Sequence, residues 1–105
     1  MTSDDLKIAR ELKERLGRQA KLVEFRVFGS RARGDAEEGS DMDVFVEVES
    51  LTPELRERIH EVTWEVGFKN FMVISPLVVS RYEVEKTALR SSSIIRSINR
   101  EGVAV

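Results

Sequence analysis

The chain has 105 residues, no cysteine, one histidine (His60) and a formal net charge of −2, although 34% of its residues are charged. This length predicts a single domain, residues 1–105, and the composition excludes disulfides, a cysteine nucleophile and a multi-histidine zinc site, so a metal ion would need oxygen ligands. Charges of both signs are mixed, which argues against general DNA or RNA binding, and no apolar run suits a membrane span or a signal peptide, so we expect a cytoplasmic protein.

The first third of the chain predicts a helix, a strand and a short second helix. Apolar residues recur at helical spacing from Leu6 to Leu16, and Gly17 is expected to end that helix. The β-rich stretch Leu22 to Phe28 predicts a strand. Gly29-Ser30 then breaks the strand, and Ser30 is expected to cap a short helix that continues through Arg33.

A polar loop, Asp35 to Ser40, leads into a second strand from Asp41 to Glu49, in which apolar and polar residues alternate. One face of that strand is apolar: Met42, Val44, Val46 and Val48. The other face carries all four of its carboxylates, Asp41, Asp43, Glu47 and Glu49, with Phe45 between them.

The second half begins with a helix whose start is marked by Thr52 as the cap and Pro53 in the first turn. Its buried stripe is predicted to be Leu55, Ile59, Val62 and Val66, and Gly67 is expected to end it. A third strand follows from Phe71 to Val79. Because proline cannot donate to a ladder, Pro76 places that strand at a sheet edge or at a bulge.

The last segment, Arg81 to about Arg100, predicts a helix in two pieces that separate around Ser91-Ser92-Ser93. Gly102 ends it and leaves a short apolar tail, Val103 to Val105. Taken together, the elements predict an α+β domain in which a small mixed β-sheet is flanked by helices.

Two aspartates at the start of the second predicted strand suit a divalent metal. Asp41 and Asp43 are two residues apart, so their side chains share one face, with Cα atoms roughly 6.6–6.8 Å apart. Magnesium binds a few carboxylates and completes its shell with water and substrate phosphates. The pair therefore suits magnesium that arrives with a nucleotide, rather than a permanent metal cage.

The turn before these aspartates suits a phosphate. Gly29 lets the backbone approach a ligand closely, and Ser30 offers an N–H and a hydroxyl. Arg31 and Arg33 add positive charge that can reach phosphates. Each feature alone has a plainer interpretation, as a turn, an exposed strand face or solvated charges. Their combination within one strand–turn–helix–strand segment favours a nucleotide and metal site.

The run Gly29-Ser30, ten residues, then Asp41-Met42-Asp43 resembles the motif of the DNA polymerase β-like nucleotidyltransferase superfamily. The closer likeness is to its minimal, MNT-type members, and the stretches Ser30 to Gly34, Val73 to Glu85 and Arg100 to Val103 resemble them as well. The resemblance covers most of the chain, and the specific motif occupies Gly29 to Asp43. It implies the polymerase β-like fold, a mixed sheet flanked by helices.

By this resemblance, Gly29 and Ser30, with Arg33, would bind the triphosphate of ATP or another NTP, and Asp41 and Asp43 would bind two Mg²⁺ ions. A hydroxyl of the acceptor would attack the α-phosphate and pyrophosphate would leave. The product would be a nucleotidylated acceptor, most simply an adenylylated one.

The superfamily usually carries a third carboxylate on a neighbouring strand, and this chain departs from that pattern. Our alignment places Val73 near the expected position, within Phe71 to Pro76, a stretch without an acid. Glu47 shares a face with the aspartates and is the candidate substitute, although it lies two pleats beyond Asp43. A general base must come within hydrogen-bonding reach of its proton.

Minimal members also resemble the antitoxin half of toxin–antitoxin pairs, whose partner is a HEPN-domain ribonuclease. The resemblance implies a protein acceptor, with a binding antitoxin of little or no catalysis as the alternative. A homo-oligomer is a further expectation, because the apolar residues near the C-terminus suit either a contact with another chain or the domain's own core. Trp64 is interpreted as a core or interface aromatic rather than a base-stacking one.

Overall fold

A computed structural model describes residues 1–105 and contains a four-stranded sheet with helices on both faces. In chain order the elements are α1 Ser3–Gly17, β1 Leu22–Phe28, α2 Gly29–Arg33, β2 Met42–Val48, α3 Pro53–Lys69, β3 Ile74–Ser80, α4 Arg81–Lys86, a 3₁₀ turn Ala88–Ser91, α5 Ser93–Glu101 and β4 Val103–Ala104. No helix has the length and apolar character needed to cross a membrane.

The strands lie in the order β3-β2-β1-β4. β1 is antiparallel to both β2 and β4, whereas β2 and β3 are parallel. The predicted α+β class with a mixed sheet flanked by helices is therefore confirmed. β3 is an edge strand, which is one of the two placements expected from Pro76. The side of β3 on which Pro76 lacks an N–H faces no further strand.

One face of the sheet packs against α1 and α3 and forms the larger core. The apolar side chains of β2 that were predicted to share this face, Met42, Val44, Val46 and Val48, are all fully buried. α3 contributes Ile59, Val62 and Val66 to the same core. This packing determines the register of β2, because a slip by one residue would expose the whole apolar set.

The opposite face is covered by α4 and α5 and carries a smaller core. Its buried members are Phe45, Val79, Ile95 and Ile98. Of the C-terminal apolar residues, Ile95 and Ile98 therefore serve the domain's own core, while Ile94 and Val103 are partly exposed. Asp41 and Asp43 belong to this second face, at the end of β2 that α5 leaves open.

α3 begins with the predicted capping chemistry, but it ends differently from the prediction. Thr52 Oγ1 accepts from the N–H of Leu55 and Pro53 opens α3, as predicted. Gly67 does not end α3, which continues to Lys69, and the backbone turns only at Phe71, with φ 53°. Gly67 is instead needed for packing, since a Cβ there would stand 2.5 Å from the carbonyl oxygen of Met72.

Three other expectations need correction. β3 begins at Ile74 rather than Phe71, because the end of α3 occupies the residues before it. The segment after β3 forms three pieces instead of two, and residues of the expected apolar tail form β4, which pairs with β1. Ser30 does not cap α2: it lies inside that helix, whose N-cap residue is Phe28.

Candidate functional site

The two aspartates lie at the open end of β2, next to the end of β1. Asp43 pairs with Phe28 on β1 and with Ser75 on β3. Asp41 is exposed and Asp43 is half-buried. Both project on the face opposite the buried Met42, so the two carboxylates share one end of the sheet.

Gly29 brings the turn Gly29-Ser30, which suits a phosphate, against the carboxylate of Asp43. It has φ +74°, and a Cβ built on it would stand 2.4 Å from Asp43 Oδ2. Any side chain at this position would therefore displace Asp43, in addition to the strain of a left-handed backbone. Chain reversal after β1 and the placement of Asp43 both depend on a glycine here.

Burial and the neighbouring Asp41 raise the pKa of Asp43, and the positive charge of Arg33 acts in the opposite direction. Two carboxylates with one nearby guanidinium leave negative charge at the open end of β2. A cation bound there would relieve this repulsion, so the electrostatics of the pair fit a divalent ion.

Arg31 holds the loop between α2 and β2 through contacts within the protein. Its guanidinium donates to Asp5 Oδ1 at 2.9 Å and twice to the carbonyl oxygen of Ser40, at 2.8 and 3.1 Å. Asp5 is itself buried and caps α1 through the N–H of Thr2. The Arg31–Asp5 pair thus ties α1 to the residue that immediately precedes Asp41.

Arg33 is the arginine of α2 that remains available to a ligand. It is exposed, with ion pairs to Asp35 at 3.2 Å and Glu101 at 3.1 Å. Both contacts are at the surface, where such pairs contribute little and exchange readily. Ser30 lies three residues earlier in chain order, in the first turn of α2, where N–H groups have no acceptor within the helix.

The structure places Ser75 beside the aspartates, a residue that the sequence analysis missed. Ser75 Oγ donates to Asp41 Oδ2 at 3.3 Å. Val73, the position expected for a third acid, precedes β3 and is exposed, with its carbonyl oxygen accepting from the N–H of Met42. Strand pairing, which a single sequence does not reveal, is the signal that identifies Ser75.

Glu47 is on the same face as Asp43 but is not brought next to it. It is four residues further along β2, about 13 Å at the usual rise per residue, and it is 6% exposed. Its neighbours across the sheet are Glu24 and Val79. Burial, followed by the charges of Glu24 and Glu85, raises the pKa of Glu47.

The donor set fits magnesium delivered with a nucleotide better than a resident ion. No group of three or more His, Cys, Asp or Glu side chains converges to hold a metal. Asp41 and Asp43 supply two carboxylates, with the Ser75 hydroxyl beside them. Magnesium commonly binds one or two carboxylates plus substrate phosphates, so these residues fit that arrangement.

Comparisons with known proteins identify the fold and the family of the chain. A candidate minimal nucleotidyltransferase of known structure is similar over 100% of this chain and 97% of its own, with 24% identity and a TM-score of 0.65. A toxin–antitoxin complex with AMP-PNP is similar over 90% of this chain and 69% of its own, with 21% identity and a TM-score of 0.58. A mutant of the toxin–antitoxin pair MntA-HpeT gives 97% and 71% coverage, 17% identity and a TM-score of 0.57.

These likenesses establish the fold alone, because every identity is below 25%. No protein with curated annotation is similar enough in sequence to count as a match. The family described as "Nucleotidyltransferase domain" matches residues 7–104, nearly the whole chain. The protein therefore belongs to the nucleotidyltransferase domain family.

Proposed function

We propose that the protein is a magnesium-dependent nucleotidyltransferase that transfers a nucleoside monophosphate, AMP from ATP, to a hydroxyl group of a partner protein. The observation that carries this proposal is the contact between the Gly29 turn and the Asp43 carboxylate, beside Asp41. A phosphate-type turn and a two-carboxylate cluster at one place suit a nucleotide that arrives with its metal. A cytoplasmic location, where ATP is supplied, belongs to the same proposal.

Each residue of the site has a defined role in this proposal. Ser30, through its N–H and hydroxyl, and Arg33, through its charge, bind the β- and γ-phosphates. Asp41 and Asp43 hold Mg²⁺, which neutralises phosphate charge and orients the reacting oxygens. Ser75 keeps Asp41 in place through its hydrogen bond.

The reaction is a displacement at the α-phosphorus. The acceptor hydroxyl oxygen forms a new bond to the α-phosphorus, and the bond between that phosphorus and the oxygen bridging to the β-phosphate breaks. Pyrophosphate leaves with the electron pair, and the hydroxyl proton passes to solvent or to a base of the acceptor. A base of the acceptor is included because the residue opposite Asp43 is Ser75, which is not an acid.

A protein acceptor is supported by two of the structural relatives. Two relatives are toxin–antitoxin structures, so proteins of this fold do associate with another protein. The resemblance found in the sequence gives a HEPN-domain protein as the partner.

The test is transfer from α-³²P-ATP to the co-purified product of the neighbouring gene. Wild-type protein with Mg²⁺ should label the partner, and the double variant Asp41→Asn/Asp43→Asn should reduce labelling by at least about 10²-fold. The matched control is Glu37→Gln/Glu38→Gln, which removes two exposed carboxylates from the loop that precedes Asp41. Equal labelling by the aspartate variant and the control would refute the enzyme assignment.

A second candidate is an antitoxin that neutralises a HEPN-domain partner by binding alone. It is favoured by one observation: the neighbouring strand places the hydroxyl of Ser75, and no third carboxylate, beside the two aspartates. If the double aspartate variant still neutralises the partner, binding is the mechanism. If the complex survives but neutralisation is lost, transfer is the mechanism.

A further inference from the structure

An aromatic groove lies outside the nucleotide site, between the outer face of α3 and the segment that leads into β3. It encloses about 860 Å³, and its apolar lining residues are Trp64, Phe68, Phe71, Met72, Val73 and Ile74. The stripe of α3 that lines it is opposite the buried stripe of Ile59, Val62 and Val66. The groove is therefore not part of the hydrophobic core.

Three aromatic side chains in this groove are in solvent. Trp64 is 66% exposed, Phe68 is 71% exposed and Phe71 is 100% exposed. Trp64 and Phe68 stack, with ring centroids 5.0 Å apart and an angle of 14° between the rings. At 150–250 Å² per aromatic side chain they expose about 350–600 Å², the size of a binding patch rather than of scattered surface residues.

The backbone at Phe71 supports a functional interpretation of this exposure. α3 ends in a Schellman arrangement, in which the N–H of Met72 donates to the carbonyl of Gly67 and that of Phe71 to the carbonyl of Phe68. The residue at the left-handed position of this motif is usually glycine, yet here Phe71 occupies it with φ 53°. A bulky residue is strained there and gains nothing from burial, so the fold alone does not account for it.

The charge around the groove selects among binding partners. Its lining includes Glu57, Glu61 and Glu65 and neither lysine nor arginine. Glu57 has no ion-pair partner, whereas Glu61 and Glu65 pair with Arg58 and Arg15. The rim therefore keeps one uncompensated negative charge, at Glu57, which disfavours nucleic acid and anionic membranes. In a two-fold pairing of two copies, each copy would bring this charge to the contact.

The edge strand restricts the shape of the partner. Pro76 lines the groove and removes an N–H from the middle of β3. A peptide strand added to this edge would therefore lose a ladder bond at its centre. Two common ways to bind a segment at an aromatic surface remain, a polyproline segment and an amphipathic helix laid into the groove. The lining residues of α3 recur from Glu57 to Phe68 over about three turns, which suits a helix packed alongside α3.

We propose that the aromatic groove binds a basic amphipathic helix of a protein partner. The apolar residues of that helix insert among Trp64, Phe68 and Phe71, and its lysines or arginines face Glu57 and Glu61. The groove ends at Val73, Ile74 and Pro76, which flank the Ser75 that contacts Asp41. Ser75 shares the face of the aspartates, whereas Ile74 and Pro76 alternate onto the face of α3, so the groove and the metal site are on opposite sides of the edge strand β3. A partner in the groove reaches the metal site with a segment that continues around this edge, and the inference rests on the proposed function in making this partner the acceptor.

Trp64 is the only tryptophan, which makes its fluorescence a specific reporter of the groove. We would titrate the protein with three synthetic 18-residue peptides: a basic amphipathic helix, an acidic helix with the same apolar face, and a scrambled basic peptide. The basic helix should shift Trp64 emission to the blue and saturate, with an affinity at least tenfold above that of the other two. Equal binding of the basic and acidic helices, or no saturation with either, overturns the proposal.

Two variants test the contacts. Glu57→Lys/Glu61→Lys should lower the affinity for the basic helix at least tenfold and raise it for the acidic helix. Phe71→Gly should also lower the affinity for the basic helix, while the Tm rises because the left-handed position is relieved. A loss of both affinity and Tm in Phe71→Gly would indicate a structural role and would contradict the proposal, as would self-association of the free chain that Phe68→Ser abolishes.

Failure of this inference is distinguishable from failure of the proposed function. Asp41→Asn/Asp43→Asn should bind the basic helix like the wild type but show no rise in Tm with Mg-ATP. Phe68→Ser should keep the Mg-ATP rise in Tm and lose labelling of the partner. A wild type that binds the helix but not Mg-ATP would refute the proposed function alone, and unchanged partner labelling by Phe68→Ser would refute the groove alone.

Discussion

Gly29 lies against the carboxylate of Asp43, close enough that a Cβ on Gly29 would stand 2.4 Å from Asp43 Oδ2. The first residue of the Gly29-Ser30 turn and the last residue of the two-aspartate motif are thus in direct contact, although thirteen residues lie between Gly29 and Asp43 in sequence. β1 and β2 bring them together because Phe28 pairs with Asp43. The motif works as one surface only because residue 29 has no side chain.

Gly29→Ala should therefore impair the site more than its backbone strain alone predicts. The matched control is Gly34→Ala, since Gly34 has φ +85° but no atom within 4 Å of an added Cβ. Both variants should lose about 1–2 kcal/mol of unfolding free energy from the left-handed backbone. Gly29→Ala should in addition weaken Mg-ATP binding at least about tenfold, because Asp43 must move. Urea unfolding and calorimetric titration measure the two effects, and an equal loss of Mg-ATP affinity in both variants contradicts the role of the contact.

Substitutions at Arg31 and Arg33, two residues apart on α2, should distinguish a charge that stabilises the fold from a charge that binds the ligand. Arg31→Met breaks a largely buried ion pair and leaves Asp5 without its cation, so we expect a loss of about 2–4 kcal/mol in unfolding free energy. Arg33→Met removes only exposed ion pairs and should change stability by less than about 0.5 kcal/mol, while weakening Mg-ATP binding. Denaturant unfolding with and without Mg-ATP distinguishes them. The reverse pattern would show that Arg31 is the phosphate ligand.

Asp43 gives the protein a pH dependence with a defined sign. In the folded state the pKa of Asp43 is raised above its ordinary value of 3.8, so ionisation of Asp43 lowers the stability of the fold. This loss of stability begins as pH rises past the pKa of the unfolded state and is complete above the pKa of the folded state. Asp43→Asn removes this loss. The variant should have a higher Tm than wild type at neutral pH, and the difference should vanish below the unfolded pKa. The matched control is Glu38→Gln, which removes one exposed carboxylate from the loop before β2.

In the presence of Mg-ATP, wild type should instead have a higher Tm than Asp43→Asn. Binding of Mg-ATP requires ionised Asp43, so it stabilises wild type and leaves Asp43→Asn unchanged. At a ligand concentration of 100 Kd the gain for wild type is about 2.7 kcal/mol. A Tm scan at neutral pH with and without Mg-ATP measures this, and an equal gain for the variant would exclude Asp43 as a metal ligand.

The elements that the sequence predicts well are those in which a local pattern and tertiary packing agree. β2 alternates strictly, and the sheet buries the apolar set it presents. Pro76 identifies an edge strand by chemistry that holds in any sheet. Arg31 was interpreted as a phosphate contact, because nothing local reveals that Asp5, 26 residues earlier, reaches it. Ser75 and the exposure of Phe71 depend in the same way on strand pairing and on where α3 ends.

Glu47 should prove dispensable for transfer. It is 6% exposed, and burial raises its pKa, so the ionised form destabilises the fold at neutral pH. Its estimated distance of about 13 Å along the strand from Asp43 is too long for proton transfer to a hydroxyl held between the aspartates. Glu47→Gln should keep partner labelling within twofold of wild type and raise the Tm at neutral pH. A loss of labelling at unchanged Tm would instead identify Glu47 as the third acid.

Ser75→Asp should supply the carboxylate that the superfamily usually carries. Ser75 pairs with Asp43 across the parallel strands and already contacts Asp41 at 3.3 Å, so an aspartate there joins the metal-binding face directly. A positioned base contributes 10²–10⁴-fold in many enzymes, and we expect a gain in labelling rate of at least about tenfold. Without metal, three carboxylates repel one another, so the variant should have a lower Tm that Mg²⁺ restores. Ser75→Asn, which has nearly the same shape without the charge, should bring no gain in rate.

Val73→Asp tests the position given by sequence alignment, and because Val73 precedes β3 and faces solvent, it should leave the rate unchanged. A gain from Val73→Asp and none from Ser75→Asp would show that the alignment, rather than the strand pairing, identifies the missing acid.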